Sequence, residues 1–595
     1  MTDATAVRAP DATEVAPQLT YEVAMPEPAS HLFVVTLYAR GWRDPHLDLK
    51  MAAWTPGSYL LREYARHVQD LSATVAGRPA TGQKLGKNHW QIAIGKEGAS
   101  DVAIRYRVYA NDLTVRTNHL DATHGYFNPA ALLMFVPGWE QQPARITIRP
   151  PAGWQISTPL PAVQGAANTF IAADFDTLVD SPFEIGTHRT FEFEAGGKPH
   201  ELAIWGQGNA NPEQIVADTQ KLIETEAEIF GGLPYDRYLF LLHLSGSGYG
   251  GLEHKNACSL NYPRLGFRAR DKYNRFMQLV AHEFFHLWNV KRIRPKELET
   301  FDYERENYTT ALWFCEGTTS YYDAIIPLRA GVYDAKTCLE NLSKDISRYF
   351  ATPGRAVQPL GESSFDAWIK LYRRDAFSDN NQISYYLKGE LVSFQLDLLA
   401  RSRSDNQRSL DNVMRALWEQ FGRDEIGFTT DELETLIATA IGTDLSDFFA
   451  RYVRGLDELP LDDYLAPFGL KLRPVLDDDP APYLGLKVVN EGGKNIIKFV
   501  DASSPAGKVG FDAGDELLAV AGLRATADRL SDRLKDFQPG AAIAVTVFHQ
   551  DELVEHRVTL AEPQPSGYKI AAIAEPTDDQ IRLCRGWLGV EPNQL

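Results

Sequence analysis

Cysteine is scarce. Cys258, Cys315, Cys338 and Cys584 are the four in 595 residues, and no two form a CxxC pair. Neither a disulfide framework nor a thiolate zinc site is indicated. Long apolar runs are missing too: no stretch approaches the about 20 residues of a membrane span. The opening MTDATAVRAPDATEVAPQ is polar and holds no apolar core of a signal peptide. A cytoplasmic location is therefore expected, or a periplasmic one if a leader has been removed. Positive charge is in deficit, with 60 Lys and Arg against 79 Asp and Glu and a net charge of −19. Such a surface argues against nucleic acid or an anionic membrane as partner. Low-complexity tracts and repeats with a period of about 20–50 residues are also absent.

What is present reads as a soluble multi-domain α+β chain. Its length exceeds what one hydrophobic core supports, so about three or four domains are expected. Residues 19–190 carry β signals. HLFVVTLYA (His31–Ala39) and DVAIRYRVYA (Asp101–Ala110) are alternating or rich in β-branched and aromatic residues, with turn residues between such runs. This predicts an N-terminal β-sandwich. Asn211-Pro212 starts a helix that Gly231-Gly232 ends, and YLFLLHL (Tyr238–Leu244) reads as a buried strand. From Asp271 to about Tyr452 the pattern is mainly helical, so residues 191–470 form a second, mainly α domain. Asp477-Asp478-Asp479-Pro480 marks a linker. A compact β domain is expected over 480–565, and a tail over 566–595.

The chemistry concentrates in VAHEFFHLWN, which begins at Val280. On a helix, His282 and His286 lie one turn apart on the same face and can point at one metal ion. Glu283 is offset and can reach a water there without ligating the metal. A catalytic zinc takes three protein ligands and keeps one position open, with a carboxylate as general base. Two structural histidines on an ordinary amphipathic helix are the bland alternative, so the reading turns on a third ligand. Glu316 supplies one. It sits in the apolar, aromatic ALWFCEGTTSYYD, where a buried carboxylate is costly unless paired or metal-bound. Glu304 and Glu306 are nearer in sequence, but TFDYEREN reads as a surface loop.

Upstream stands GSGYGGLEHKNACSL, a glycine-flanked segment able to pair with peptide backbone. Gly250, Gly251, Glu253 and His254 are its candidate substrate residues, with Glu253 suited to a free α-amino group. In NNQISYYLKGE, Tyr385 and Tyr386 are both candidates to donate a hydrogen bond to an oxyanion.

HEFFHLW, LWFCEG, YYLKG and GGLEH together resemble the aminopeptidase N and leukotriene A hydrolase group of zinc peptidases. That resemblance implies His282, His286 and Glu316 as zinc ligands, one zinc per chain, and Glu283 as general base. It makes Tyr386 the oxyanion donor and Glu253 the anchor of the substrate's amino terminus. Two departures stand out. The interval between His286 and Glu316 is long, carrying VKRIRPKELETFDYEREN, and Leu252 and His254 replace the methionine and asparagine of that group's exopeptidase segment. Both departures match the glycyl aminopeptidase family with a PDZ domain, which WTPGSYLLREYARHV and HLWNVKRIRP also resemble. The family implies a thermolysin-like catalytic domain and a C-terminal PDZ domain. PYLGLKV then resembles the PDZ carboxylate loop at Leu484, Gly485 and Leu486, able to take a peptide C-terminus, and Asp515 would hold a turn. A small β domain that only stabilises its neighbour is the alternative. The expected function is a zinc aminopeptidase on peptides with a free N-terminus, preferring small residues such as Gly or Ala. An endopeptidase, a non-peptide hydrolase and an inactive PDZ adaptor are the competing readings.

Overall fold

The computed structural model describes residues 19–95 and 100–595. The polar N-terminal stretch lies outside these. The chain divides into two compact units. The first holds residues up to Pro212 with 235–268 and 301–306; the second holds 213–234, 269–300 and 307–595.

The first unit is β-rich. Leu19–Ala24 and Ser100–Tyr109 alternate more and less buried residues, the period of a strand with one face in a core. They belong to a seven-stranded sheet in which Leu19–Ala24 pairs parallel with Ala144–Arg149. Val35, Leu37, Ile104 and Tyr106 of that sheet share one core with Leu49, Met51, Trp90 and Ile92 of a four-stranded sheet. A further four-stranded sheet contains His124–Phe127 and Phe183–Gly186. The same unit includes a five-stranded mixed sheet. Lys198–Trp205, Tyr238–Ser245 and Ala257–Pro263 run parallel, and Gly250–Glu253 forms an antiparallel edge. Tyr238–Ser245 is buried along its whole length, as a central parallel strand should be.

The second unit is mainly helical, with helices at Pro212–Phe230, Arg270–Phe285, Thr319–Arg329, Ala335–Phe350, Tyr385–Ser404 and Thr430–Ile441 among its elements. Tyr385–Ser404 is buried almost all round, which marks it as the central helix. Asp477–Pro480 carries no helix or strand. After it comes an antiparallel sheet built from Leu486–Glu491, Lys494–Val500, Glu516–Val520, Ala542–His549 and Glu552–Thr559, with its own hydrophobic core. The segment after 565, expected as a tail, is built into the unit. Gly567–Ala572 pairs with Leu470–Val475, and Trp587 on the helix Asp578–Leu588 donates to the Tyr321 hydroxyl at 3.2 Å. All four cysteines are buried, and none is joined in a disulfide. No described helix is long and apolar enough to cross a membrane.

Candidate functional site

The helix Arg270–Phe285 buries Tyr273, Phe276, Met277, Val280 and Phe284, and this sets the direction of its histidine face. His286 caps its C-terminus and keeps helical backbone angles, so His282 and His286 stay one turn apart. Each ring is fixed through Nδ1. His282 Nδ1 lies 2.9 Å from Asp323 Oδ2, and His286 Nδ1 lies 2.7 Å from the Asn289 carbonyl oxygen. Both Nε2 atoms are thereby aimed at Glu316, whose Oε2 is 3.1 Å from His286 and 3.5 Å from His282. That Oε2 is buried and makes no hydrogen bond of its own.

Orientation as well as spacing identifies the kind of site. Donors held tetrahedrally at the usual zinc–nitrogen distance lie about 3.3 Å from one another. Two other groups, His124/Glu184/His243 and His119/Asp121/His124, also cluster potential ligands among the described residues. In these, His124 Nδ1 and His243 Nε2 sit 2.8 and 2.9 Å from Glu184, and His119 sits 2.8 Å from His124. Those are hydrogen-bond lengths. In the His282/His286/Glu316 set the 3.1 Å contact is also of hydrogen-bond length, and what fits a metal ion is that two rings, each already held through Nδ1, both turn Nε2 towards one buried carboxylate oxygen.

Electrostatics agrees with a site built for a cation. Burial alone would raise the Glu316 pKa, but the adjacent His286 and His282 rings hold it down at about 2. Burial would lower His282, yet Asp323 and Glu316 raise it well above the ordinary histidine value. Carboxylates that back a ligand histidine raise its basicity and fix its tautomer.

Glu316 lies on a π-helical stretch, Trp313–Thr318, which leads into Thr319–Arg329. Such turns leave carbonyls out of the normal ladder and gather at functional sites. Asn289 collects them. Its Nδ2 lies 3.1 Å from both the Phe314 and Cys315 carbonyls and 3.2 Å from Thr319 Oγ1. One residue thus holds His286 through its carbonyl and the Glu316 segment through its side chain. Beyond Glu316, Gly317 meets Gly389 of the central helix so closely that a Cβ on Gly317 would fall 2.5 Å from the Gly389 carbonyl carbon.

This crossing brings the start of the central helix to the site. The Tyr386 ring is 6.3 Å from that of His282, and the Glu316 charge is among the causes that, after burial, push its phenol pKa far up. Its hydroxyl is 3.1 Å from that of Tyr372. Tyr385 is fully buried, with its hydroxyl 3.4 Å from Tyr372, whereas Tyr386 is half-buried. Glu283 is buried beside His282 on the same helix.

The upstream candidates belong to the first unit. Glu253 ends the edge strand and is buried, and its Oε1 has no hydrogen-bond partner. Gly57, with φ of +84°, faces it, and a Cβ there would come 2.5 Å from that oxygen. The Gly251 carbonyl accepts from Arg116 Nη2 at 2.9 Å, and Gly250 has φ of +142°. His254 Nδ1 lies 3.2 Å from Asp180 Oδ1, so Asp180 holds this loop. Glu304 pairs with Lys50 at 2.6 Å, which takes it out of contention as a ligand. Far along the chain, Leu484 and Gly485 accept backbone hydrogen bonds from Ala506 and Asp501 at 3.0 and 2.9 Å, and Leu486 starts a strand. Asp515 accepts from the Asp512 N–H at 3.0 Å and contacts His549 at 2.8 Å, which makes it a turn holder.

Sequence reasoning missed Asp323, Asn289 and Tyr372. Asp323 had a signal, seven positions after Glu316 and so two turns along the same face. The other two had none.

Two family models match the chain. The Peptidase M61 N-terminal domain covers residues 20–187, and M61 glycyl aminopeptidase covers residues 275–392. An aminopeptidase N family protein from Idiomarina loihiensis has a solved structure similar to this one. It is 32% identical with a TM-score of 0.89, over 96% of this chain and 100% of that one. More distant are an M1 zinc metallopeptidase from Deinococcus radiodurans and yeast LTA4 hydrolase in complex with bestatin. The first is 14% identical over 74% of this chain and 94% of its own, with a TM-score of 0.48. The second is 14% identical over 77% and 70%, with a TM-score of 0.43. A search of curated proteins found no match.

Proposed function

This chain belongs to the M61 glycyl aminopeptidase family and is a peptidase, and from that premise we propose that it is a zinc-dependent aminopeptidase releasing small N-terminal residues such as Gly or Ala. The observation that carries the zinc reading is the orphaned Glu316 Oε2 between two oriented Nε2 atoms at 3.1 and 3.5 Å. His282, His286 and Glu316 would hold one zinc, with Asp323 and Asn289 fixing the rings. Bound there, zinc supplies Lewis acidity towards a carbonyl and lowers the pKa of water.

The protein's own groups do the rest. Glu283 takes the proton of the attacking water and passes it to the leaving amine. Tyr386 donates its phenol proton in a hydrogen bond to the oxyanion as the carbonyl becomes tetrahedral; its raised pKa keeps that proton in place. Glu253 pairs with the substrate's α-ammonium. Support comes from its buried, unpartnered oxygen, which a charged N–H donor would satisfy. An anchor for the α-ammonium is what would limit cleavage to the first peptide bond. The small-residue preference rests on the family. The C-terminal sheet, with Gly485 at φ of +89° just before its first strand, supports a PDZ-like reading in which Leu484–Leu486 takes a peptide carboxylate.

The test is a set of Gly- and Ala-chromogenic amides with their N-acetylated twins, assayed with and without chelator. Free-amine substrates should be cleaved, acetylated ones spared, and activity should vanish with chelator and return with zinc. Equal rates on both forms would transfer the reading to an endopeptidase. Full activity in metal-free protein would end the zinc assignment.

A further inference from the structure

The segment between Tyr372 and Asn380 has hydrogen bonds at both ends that the proposed reaction does not use. At one end, the Tyr372 hydroxyl is 3.1 Å from that of Tyr386. At the other, buried Asn380 grips the C-terminal β module with both faces of its amide. Its Nδ2 donates to the Val500 carbonyl at 2.9 Å, and its Oδ1 accepts from the Ala502 N–H at 2.9 Å. This imitates the pairing of a neighbouring strand.

Local hydrogen bonds hold the turn at 375–378 between them. Asp375 N–H donates to Ser378 Oγ at 2.8 Å, and Phe377 N–H donates to Asp375 Oδ1 at 2.9 Å. After Asn380 the chain is pinned again: Ile383 N–H donates to Gln358 Oε1 at 3.2 Å, and Ser384 then caps the helix that begins with Tyr385. In the module, Val500 pairs with Leu486, and Asp501 N–H donates to the Gly485 carbonyl at 2.9 Å. Asn380 therefore grips the same short stretch that carries the Leu484–Leu486 loop.

We infer that Tyr372–Asn380 is a strap through which the C-terminal β module sets the position of the Tyr386 hydroxyl, with Tyr372 and Asn380 as positioning residues. The inference rests on the role proposed for Tyr386. A phenol is useful to an oxyanion only if its hydroxyl is aimed before the reaction. Tyr386 stands in the first turn of its helix, where fraying is easiest. The strap removes that freedom from outside the helix.

The experiment uses the full-length zinc-loaded protein. Tyr372→Phe and Asn380→Ala should each lower kcat by about 5–10-fold, the worth of one or two hydrogen bonds, with KM and zinc content unchanged. Placed on a Tyr386→Phe background, neither should cost anything more, because each acts through that hydroxyl. Hydrogen exchange of the 382–388 amides, which needs no substrate, should quicken in Asn380→Ala. If Asn380→Ala does not fold, Asn380→Asp, which keeps the acceptor and loses the donor, takes its place. An unchanged kcat in either variant, or a loss that persists without the Tyr386 hydroxyl, overturns the strap. If the wild type proves to cleave no aminoacyl amide, the exchange result decides alone: faster exchange upholds the strap, and unaltered exchange overturns it.

Discussion

Replacing Gly317 by alanine tests the helix crossing that assembles the site. The new Cβ would lie 2.5 Å from the Gly389 carbonyl carbon and 2.8 Å from the Glu390 nitrogen. Both are backbone atoms, so no side chain can swing aside. Restoring an ordinary carbon contact of about 3.5 Å means parting the π-helical stretch and the central helix by about 1 Å. Overpacking of this kind costs about 1–3 kcal/mol. The functional cost is larger in proportion. Glu316 precedes Gly317 directly, and Tyr386 stands three residues before Gly389, so the proposed ligand and the proposed oxyanion donor move apart together. A misplacement of about 1 Å in catalytic geometry costs on the order of 100-fold in rate. Thermal melts of chelator-treated and zinc-loaded protein, followed by kcat on a glycyl amide, separate the two effects. The packing loss should appear in both melts, and the rate loss only in the loaded enzyme. Gly317→Ala with the wild-type melting temperature and turnover within about twofold would refute the argument.

Glu283→Gln should keep one zinc per chain by metal analysis but lose turnover by at least ~100-fold, since an amide cannot take the proton; near-normal turnover would place the base elsewhere. Tyr386→Phe should lower kcat by roughly 10²–10³-fold at little changed KM, while Tyr385→Phe, altering a fully buried hydroxyl, should affect melting more than kcat. The opposite pattern would exchange their roles. In the first unit, burial and then His124 hold His119 down from 6.5 to about 4, and His124 and His243 overcome the effect of burial to hold Glu184 far below the usual carboxylate range. Both depressed values favour the deprotonated forms: the His119 contribution is complete above about pH 6.5 and is lost as pH falls through about 4, whereas that of Glu184 is complete above the ordinary carboxylate value of 4.5 and is lost only below it. Melts followed by circular dichroism should show that fall, and His119→Gln should flatten its upper part; an unaltered slope there would count against the depressed His119 value.

What the sequence made legible was local. His282, Glu283 and His286 were readable because one helical turn fixes their common face, and Glu316 because a carboxylate among Trp313, Phe314 and Cys315 needs a reason to be there. The choice between Tyr385 and Tyr386 was open from the residues, because adjacent positions at a helix start differ only in which one tertiary packing buries. Asn289 was hidden for another reason: its part is played by a backbone oxygen and by carbonyls that a π-turn frees, and neither leaves a mark in residue type. Tyr372 and Asn380 meet their partners 14 and 120 positions away. Contacts at such separations come from topology, which no local pattern encodes. The long interval after His286 proved to contain residues 301–306, which join the first unit, and a reading by continuous segments could not divide it that way.

The chain passes between its two units at 212/213, 234/235, 268/269, 300/301 and 306/307. No single cut yields two self-contained fragments. Ending the chain at 306 keeps all of the first unit but strands the helix bearing His282 and His286 without Glu316, and beginning it at 307 keeps Glu316 without its histidines. During synthesis the first unit's last residues leave the ribosome only after that histidine helix, which already has the Pro212–Phe230 helix to pack on, through Tyr273 to Asp218 and Phe285 to Phe230, before Glu316 follows. The proposed ligand set is thereby complete only once synthesis has passed the middle of the chain, and a product ended at 306 would carry two of its three members.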